Sequence, residues 1–149
     1  MIIVGIRNGI ITEDLFNKKL PFQCINADVV CTKKHIQHSI NQSLSKKRIT
    51  NNIFMEILVR CSAQRQISVA IKKLGVPLNK KSNICLVCEN KEVLNKILPE
   101  IGGEIDNSVL ELNNNKIKKI MEVYNIKNFV SKEDLIMRVC EKISLIEVI

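Results

Sequence analysis

The segment Asn52–Cys88 carries the clearest alternation of hydrophobic and polar positions in the chain. Ile53, Phe54, Ile57, Leu58 and Cys61 recur at the three- and four-residue spacing of one helical face, and Ile67, Ala70, Ile71 and Leu74 repeat it on a second helix closed by Gly75 and Pro77. The polar run Ser62-Ala63-Gln64-Arg65-Gln66 lies between them, and residues 83–88 that follow read as an apolar strand. The polar turn therefore has a packed scaffold on either side.

The rest of the chain divides by the same criteria. Residues 1–7 and about 22–27, bounded by Asn8-Gly9 and Pro21, predict strands. With Asp28 as its N-cap, a helix carrying Val29, Ile36, Ile40 and Leu44 is expected to reach Lys47. Residues 91–98 predict a helix ending at Pro99, and Gly102-Gly103 a turn into a strand near 108–112. Residues 114–124 predict a helix with Ile117, Ile120, Met121 and Tyr124 on one side. The last helix starts at Ser131, where Ser131-x-x-Asp134 is a capping-box variant, and its apolar face is Leu135, Ile136, Val139, Cys140 and Ile143. Strands and helices mix without regular alternation or internal repeats. The expected architecture is α+β, one compact domain over residues 1–149 with a small mixed sheet packed by several helices.

Composition refines this reading. A chain of 149 residues matches about one domain and buries roughly two thirds of its unfolded surface. Trp is absent and aromatics make up 3%, so the core is aliphatic. No apolar run approaches the ~20 residues of a membrane helix, and the start lacks the basic region and length of a signal peptide. A cytoplasmic protein without membrane attachment is expected.

Candidate chemistry is sparse. Cys31, Cys61 and Cys140 sit among apolar residues at helical spacing, and Cys85 and Cys88 lie in a strand, as small core hydrophobes of a reducing compartment do. Cys85-x-x-Cys88 has metal or redox spacing, but zinc needs two further ligands and a redox pair belongs at a helix start. His35 and His38 are three apart, with no carboxylate at metal-ligand spacing; a satisfied or solvent-facing pair is the better reading. No catalytic residue, metal or cofactor is expected. A small enzyme using these cysteines or histidines remains the rival from another class.

Charge is more informative. Between Lys33 and Lys81 eleven basic residues face one acid, Glu56, whereas the remainder carries 12 basic and 14 acidic residues. The whole excess behind the net charge of +8 belongs to one third of the chain. Such a field attracts a polyanion with salt-sensitive affinity. The competing reading is a lysine-rich proteome that decorates every surface, which abundant Asn and Ile also fit.

The run from Asp28 to Cys88, with MEILVRCSAQRQISVAIKKLGV and the strand NICLVC, resembles the kinase-binding accessory subunit of the KEOPS (EKC) complex. The family pattern is a mid-helix Glu, a small polar turn, Ile-x-x-Ala-hydrophobic-x-x-hydrophobic-Gly and a buried strand. Here it is met by Glu56, Ser62 to Gln66, Ile67, Ala70, Ile71, Leu74 and Gly75. The C-terminal SKEDLIMRVCEKISLIEVI resembles the family's final helix and tail, and the length and composition fit an archaeal member. The resemblance implies a non-catalytic subunit of the machinery that makes threonylcarbamoyladenosine in tRNA. Its implied partners are the small atypical kinase/ATPase subunit and the 3′ CCA end of tRNA.

Within that frame Arg60, Gln64, Arg65, Lys72 and Lys73 are the expected RNA contacts. Aromatic platforms are nearly absent, so base packing would fall to aliphatic side chains or an Arg plane. Arg65 is equally suited to capping the carbonyls of the preceding helix. Lys72 and Lys73 are adjacent and so face different ways, and Glu56, with Arg60 as its i+4 partner, reads as structural. Leu135, Val139, Ile143, Leu145, Ile146, Val148 and Ile149 are the expected kinase-binding residues, because an apolar tail left in water marks an interface. Burial of that tail in the domain's own core is the alternative, as is a protein-only scaffold that touches no RNA.

Overall fold

The computed structural model describes residues 1–147. In chain order its elements are β1 (Ile2–Gly9), α1 (Glu13–Asn17), β2 (Phe22–Asn26), α2 (Lys33–Ser45), α3 (Ile53–Cys61) and α4 (Ile67–Leu74). They continue with β3 (Ser82–Cys88), α5 (Lys91–Ile101), β4 (Glu104–Ile105), α6 (Asn114–Tyr124) and α7 (Lys132–Ser144). The architecture is α+β. The strands form one sheet in the order β2-β3-β1-β4, with antiparallel ladders throughout. The one parallel pairing among the described residues is the isolated bridge between Ile11 and Leu78.

The sequence of β3 explains its interior position. Ile84-Cys85-Leu86-Val87-Cys88 is apolar without a break, and all five residues are buried because both faces of the strand are covered. Cys85 and Val87 join Ile3 and Ile25 under α2, α3 and α4. Ile84, Leu86 and Cys88 join Val4 and Ile6 under α1 and α5. The odd spacing of Cys85 and Cys88 thus sends the two thiols to opposite faces, which removes them as a shared ligand pair. A third cluster holds α6 and α7 together through Ile120, Tyr124, Ile126, Leu135, Val139 and Ile143, with Cys31.

Three expectations are corrected. Asp28 does not start the first long helix. It lies in a short 3-10 turn, Ala27–Val29, and α2 begins after Thr32, whose hydroxyl accepts from the Lys34 amide. Val29, Val30 and Cys31 are consecutive and all fully buried, a pattern no helix on a surface accommodates. Residues 108–112 are not a strand: Asn107–Leu110 is a 3-10 turn capped by Asp106, and β4 lies just upstream. The Asn107 side chain takes the Gly5 amide at 2.9 Å, replacing the next rung of the ladder, and a Cβ on Gly5 would stand 2.6 Å from the Asp106 carbonyl oxygen. Finally, α5 runs through Pro99 to Ile101, since the proline removes one hydrogen bond within a turn of a terminus set by Gly102 at φ +69.

The α2–α3 corner rests on a buried ion pair. Glu56 and Arg60 are one turn apart on α3 and neither side chain is exposed to solvent; the Arg60 Nε donates to Glu56 at 2.8 Å. The remaining carboxylate capacity goes to the chain before the helix. Ile49 N–H donates to both oxygens at 3.0 Å, and Thr50 donates through its amide at 2.8 Å and its hydroxyl at 2.9 Å. Arg60 also donates to the Lys47 carbonyl at 3.0 Å. Burial alone would raise the Glu56 pKa, but the hydrogen bonds from Ile49, Arg60 and Thr50 outweigh it and the carboxyl titrates below its ordinary value.

Glu56→Gln is expected to cost about 3 kcal/mol or more at pH 7, because it leaves Arg60 buried without its counter-charge. For a domain of this size that is a fall in melting temperature on the order of 10 °C. A depressed carboxylate contributes stability above its unfolded pKa and loses it as pH falls through the folded value. The difference between wild type and Glu56→Gln should therefore shrink as pH drops below the ordinary 4.5, measured by urea titration. A gap that stays constant down to pH 2.5 contradicts the assignment.

Candidate nucleic-acid and partner interface

The polar turn is anchored from behind before it presents anything to solvent. α3 ends at Cys61, and Ala63 takes a left-handed conformation, φ +56, that reverses the chain toward α4. The Cys61 carbonyl points into a buried polar knot, where it accepts from the Tyr124 hydroxyl at 2.6 Å and from His35 Nε2 at 3.1 Å. His35 Nδ1 accepts the Cys31 amide at 3.3 Å, which assigns the ring proton of the neutral form to Nε2. Tyr124 stands edge-on to the imidazole with its hydroxyl 2.8 Å from Nε2. Burial drives the His35 pKa down to about 4, despite the opposing hydrogen bond to Cys61. This histidine ties α2, α3 and α6 together. His38, by contrast, reaches the Ser144 hydroxyl at 2.9 Å and ties α2 to α7.

Of the expected RNA contacts, Arg60 is corrected: fully buried against Glu56, it faces away from any ligand. Gln64 is half-buried in the turn, and Arg65 is exposed there. Arg65 does not cap α3. Its Nη1 donates to the Ile146 carbonyl at 2.7 Å, so it holds the C-terminal segment against the turn. Lys72 is exposed, whereas Lys73 bends to the Val123 carbonyl at 3.1 Å near the end of α6. Ile67 and Ile71, which share a helical face with Ala70 and Leu74 in the sequence, are not in the core. They are 41% and 38% exposed, and α4 buries Ala70 and Leu74 instead. Five apolar residues in eight positions exceed what one face of a short helix can bury, and that excess was the available signal. The outer face of α4 thus sets two isoleucines one turn apart, with Arg65 and Gln66 before them and Lys72 beside them.

The expected kinase-binding residues fare differently. Leu135, Val139 and Ile143 are fully buried in the core between α6 and α7, and Ile146 is buried under α3 and the sheet, so these four are corrected to structural positions. Leu145 is exposed; Val148 and Ile149 lie outside the described residues. The solvent face of α7 carries Met137, 70% exposed, and Glu141, above a shallow depression that Asp134, Arg138, Cys140 and Ser144 also line.

No cluster of His, Cys, Asp or Glu among the described residues is placed to hold a metal ion. The cysteines are free thiols, and burial pushes Cys31 and Cys61 up to about 12, far from thiolate reactivity. No helix among the described residues is long and apolar enough to cross a membrane.

The family model described as kinase binding protein CGI-121 matches residues 4–147. A protein named regulatory protein Cgi121, from Methanocaldococcus jannaschii, is 52% identical over 147 residues, which span 99% of this chain and 97% of that protein.

Nuclear magnetic resonance of the imidazole should find His35 neutral and Nε2-protonated down to about pH 4. A ring titrating near its ordinary 6.5 would mean that the knot is open to water.

Proposed function

This chain belongs to the CGI-121 kinase-binding family, and from that premise we propose that it is a non-catalytic accessory subunit of the KEOPS complex. In this reading it docks on the small atypical kinase/ATPase subunit and holds tRNA by its 3′ CCA end, supporting threonylcarbamoyladenosine modification in the cytoplasm. The kinase part rests on family membership. The RNA part rests on one observation, the exposed Ile67–Ile71 pair framed by Arg65, Gln66 and Lys72 at the start of α4. Single-stranded RNA needs cations for phosphates and a flat apolar surface for splayed bases. In a chain with 3% aromatics, the isoleucine pair supplies the surface that Trp or Phe supplies elsewhere.

Docking on the kinase belongs to the outer face of α7, where Met137 is exposed, and to the exposed Leu145 just past the end of that helix. A protein-only scaffold is the second reading. It draws on Arg65, whose guanidinium is already engaged with the Ile146 carbonyl.

Titration of tRNA against the purified protein separates the two. Lys72→Glu should weaken binding several-fold and lower the slope of log K against log salt by about 0.7 to 0.9, one phosphate contact. Ile67→Ser with Ile71→Ser should weaken it with the slope unchanged, because apolar contacts release no counterions. Lys96→Glu on α5, behind the opposite face of the sheet, should leave binding nearly intact. Wild-type protein that does not bind tRNA selects the scaffold. Met137→Glu should weaken kinase binding about tenfold or more with an unchanged melting temperature; full affinity in that variant places the contact elsewhere.

A further inference from the structure

We propose that the loop Lys46-Lys47-Arg48 is a second RNA-phosphate contact, separate from the α4 surface and held in shape by the buried Glu56 carboxylate. This rests on the RNA reading above and extends it to a part of the surface that reading does not use. All three side chains are exposed, and among the described residues no carboxylate forms an ion pair with any of them. Three adjacent cations repel one another, so a free loop would spread. Here the backbone from Lys47 to Thr50 is fixed at three points. Arg60 holds the Lys47 carbonyl, and Glu56 holds the Ile49 and Thr50 amides together with the Thr50 hydroxyl.

The expense of this arrangement is what points to a use. A buried ion pair stabilises a fold little better than apolar residues of the same volume, whereas it fixes geometry well. What the Glu56–Arg60 pair fixes is the conformation of the most concentrated run of positive charge in the chain. A loop ordered before binding loses less entropy on binding, and every phosphate contact then contributes more of its gross energy. The chemistry of the loop favours a polyanionic backbone over a protein surface. The loop itself carries only cationic side chains; Ile49 after it packs against the core, and the exposed Leu44 belongs to the last turn of α2, so the loop has no apolar anchor of its own of the kind protein interfaces centre on.

Placement makes the contact independent. The loop precedes α3 and the polar turn follows it, so the whole helix lies between them in the chain. The two segments then meet the same RNA through different side chains, and losses at the two sites should multiply.

The test is tRNA binding by Lys46→Glu/Lys47→Glu/Arg48→Glu, by Lys72→Glu and by their combination, each across a salt series with the melting temperature checked. The loop variant should bind at least tenfold more weakly and lower the salt slope by about two to three, with an unchanged melting temperature. The combined variant should show the product of the two losses. Thr50→Val, which removes one tether and no charge, should weaken binding two- to fivefold at an unchanged slope. Wild-type loop-variant affinity beside a weakened Lys72→Glu overturns this proposal alone, whereas absence of binding by the wild type overturns the RNA reading itself. A loop variant that binds tRNA normally and loses the cognate kinase makes the loop a protein contact and also overturns the proposal. Full affinity in Thr50→Val overturns the role given to Glu56.

Discussion

Glu56 and Arg60 are one turn apart on α3, and with no solvent reaching either side chain neither tolerates the absence of the other. An uncompensated charge at that depth would cost several kcal/mol, so the pair, once buried, dictates what surrounds it. The carboxylate turns to the amides of Ile49 and Thr50, and the guanidinium turns to the Lys47 carbonyl and the Gln42 side chain. The entry to α3, the exit from α2 and the basic loop between them are thus one hydrogen-bonded unit. Everything else on this side of the sheet packs against a helix whose start is fixed in this way.

The far end of α3 is fixed by a different device. There the Cys61 carbonyl, one of the last acceptors of the helix, receives His35 and Tyr124 instead of water. Buried neutral histidine is the natural partner because it donates from one nitrogen and accepts the Cys31 amide with the other. The consequence is that the turn carrying Gln64 and Arg65 leaves a rigid base, and the chain can spend its exposed positions on α4 on two isoleucines. The protein's most concentrated basic run therefore comes before α3 and its framed apolar pair on α4 after it.

Much of this was legible in the amino-acid sequence. The faces of α3 and α7, the continuous apolar run of β3 and the caps at Ser131 and Gly75 follow from local rules, and the structure has them where the pattern puts them. Glu56 with Arg60 at i+4 was readable as a structural pair for the same reason. What sequence alone did not yield depends on tertiary context. Residues 29–31 are buried in a row because they thread between two cores, which mimics a helix start at Asp28. Asn107 replaces a strand residue with its side chain, a substitution no periodicity reveals. Leu135, Val139 and Ile143 were read as an interface because an apolar face has the same pattern whether its cover comes from α6 or from another protein. Ile67 and Ile71 share a helical face with Ala70 and Leu74, and only the fold shows that Ala70 and Leu74 suffice to cover the core there.

The claim on which the rest depends is that a buried carboxylate orders the basic loop in the free protein. Native-state amide hydrogen exchange at Ile49 and Thr50 reads this directly, since both amides donate to Glu56. If the claim holds, these two loop amides are protected to nearly the same opening free energy as Ile57 and Leu58 in the middle of α3, and they open with the helix. Exchange at Ile49 and Thr50 near the rate of an unprotected chain, while α3 stays protected, would show that the loop is free of the carboxylate and would contradict the account.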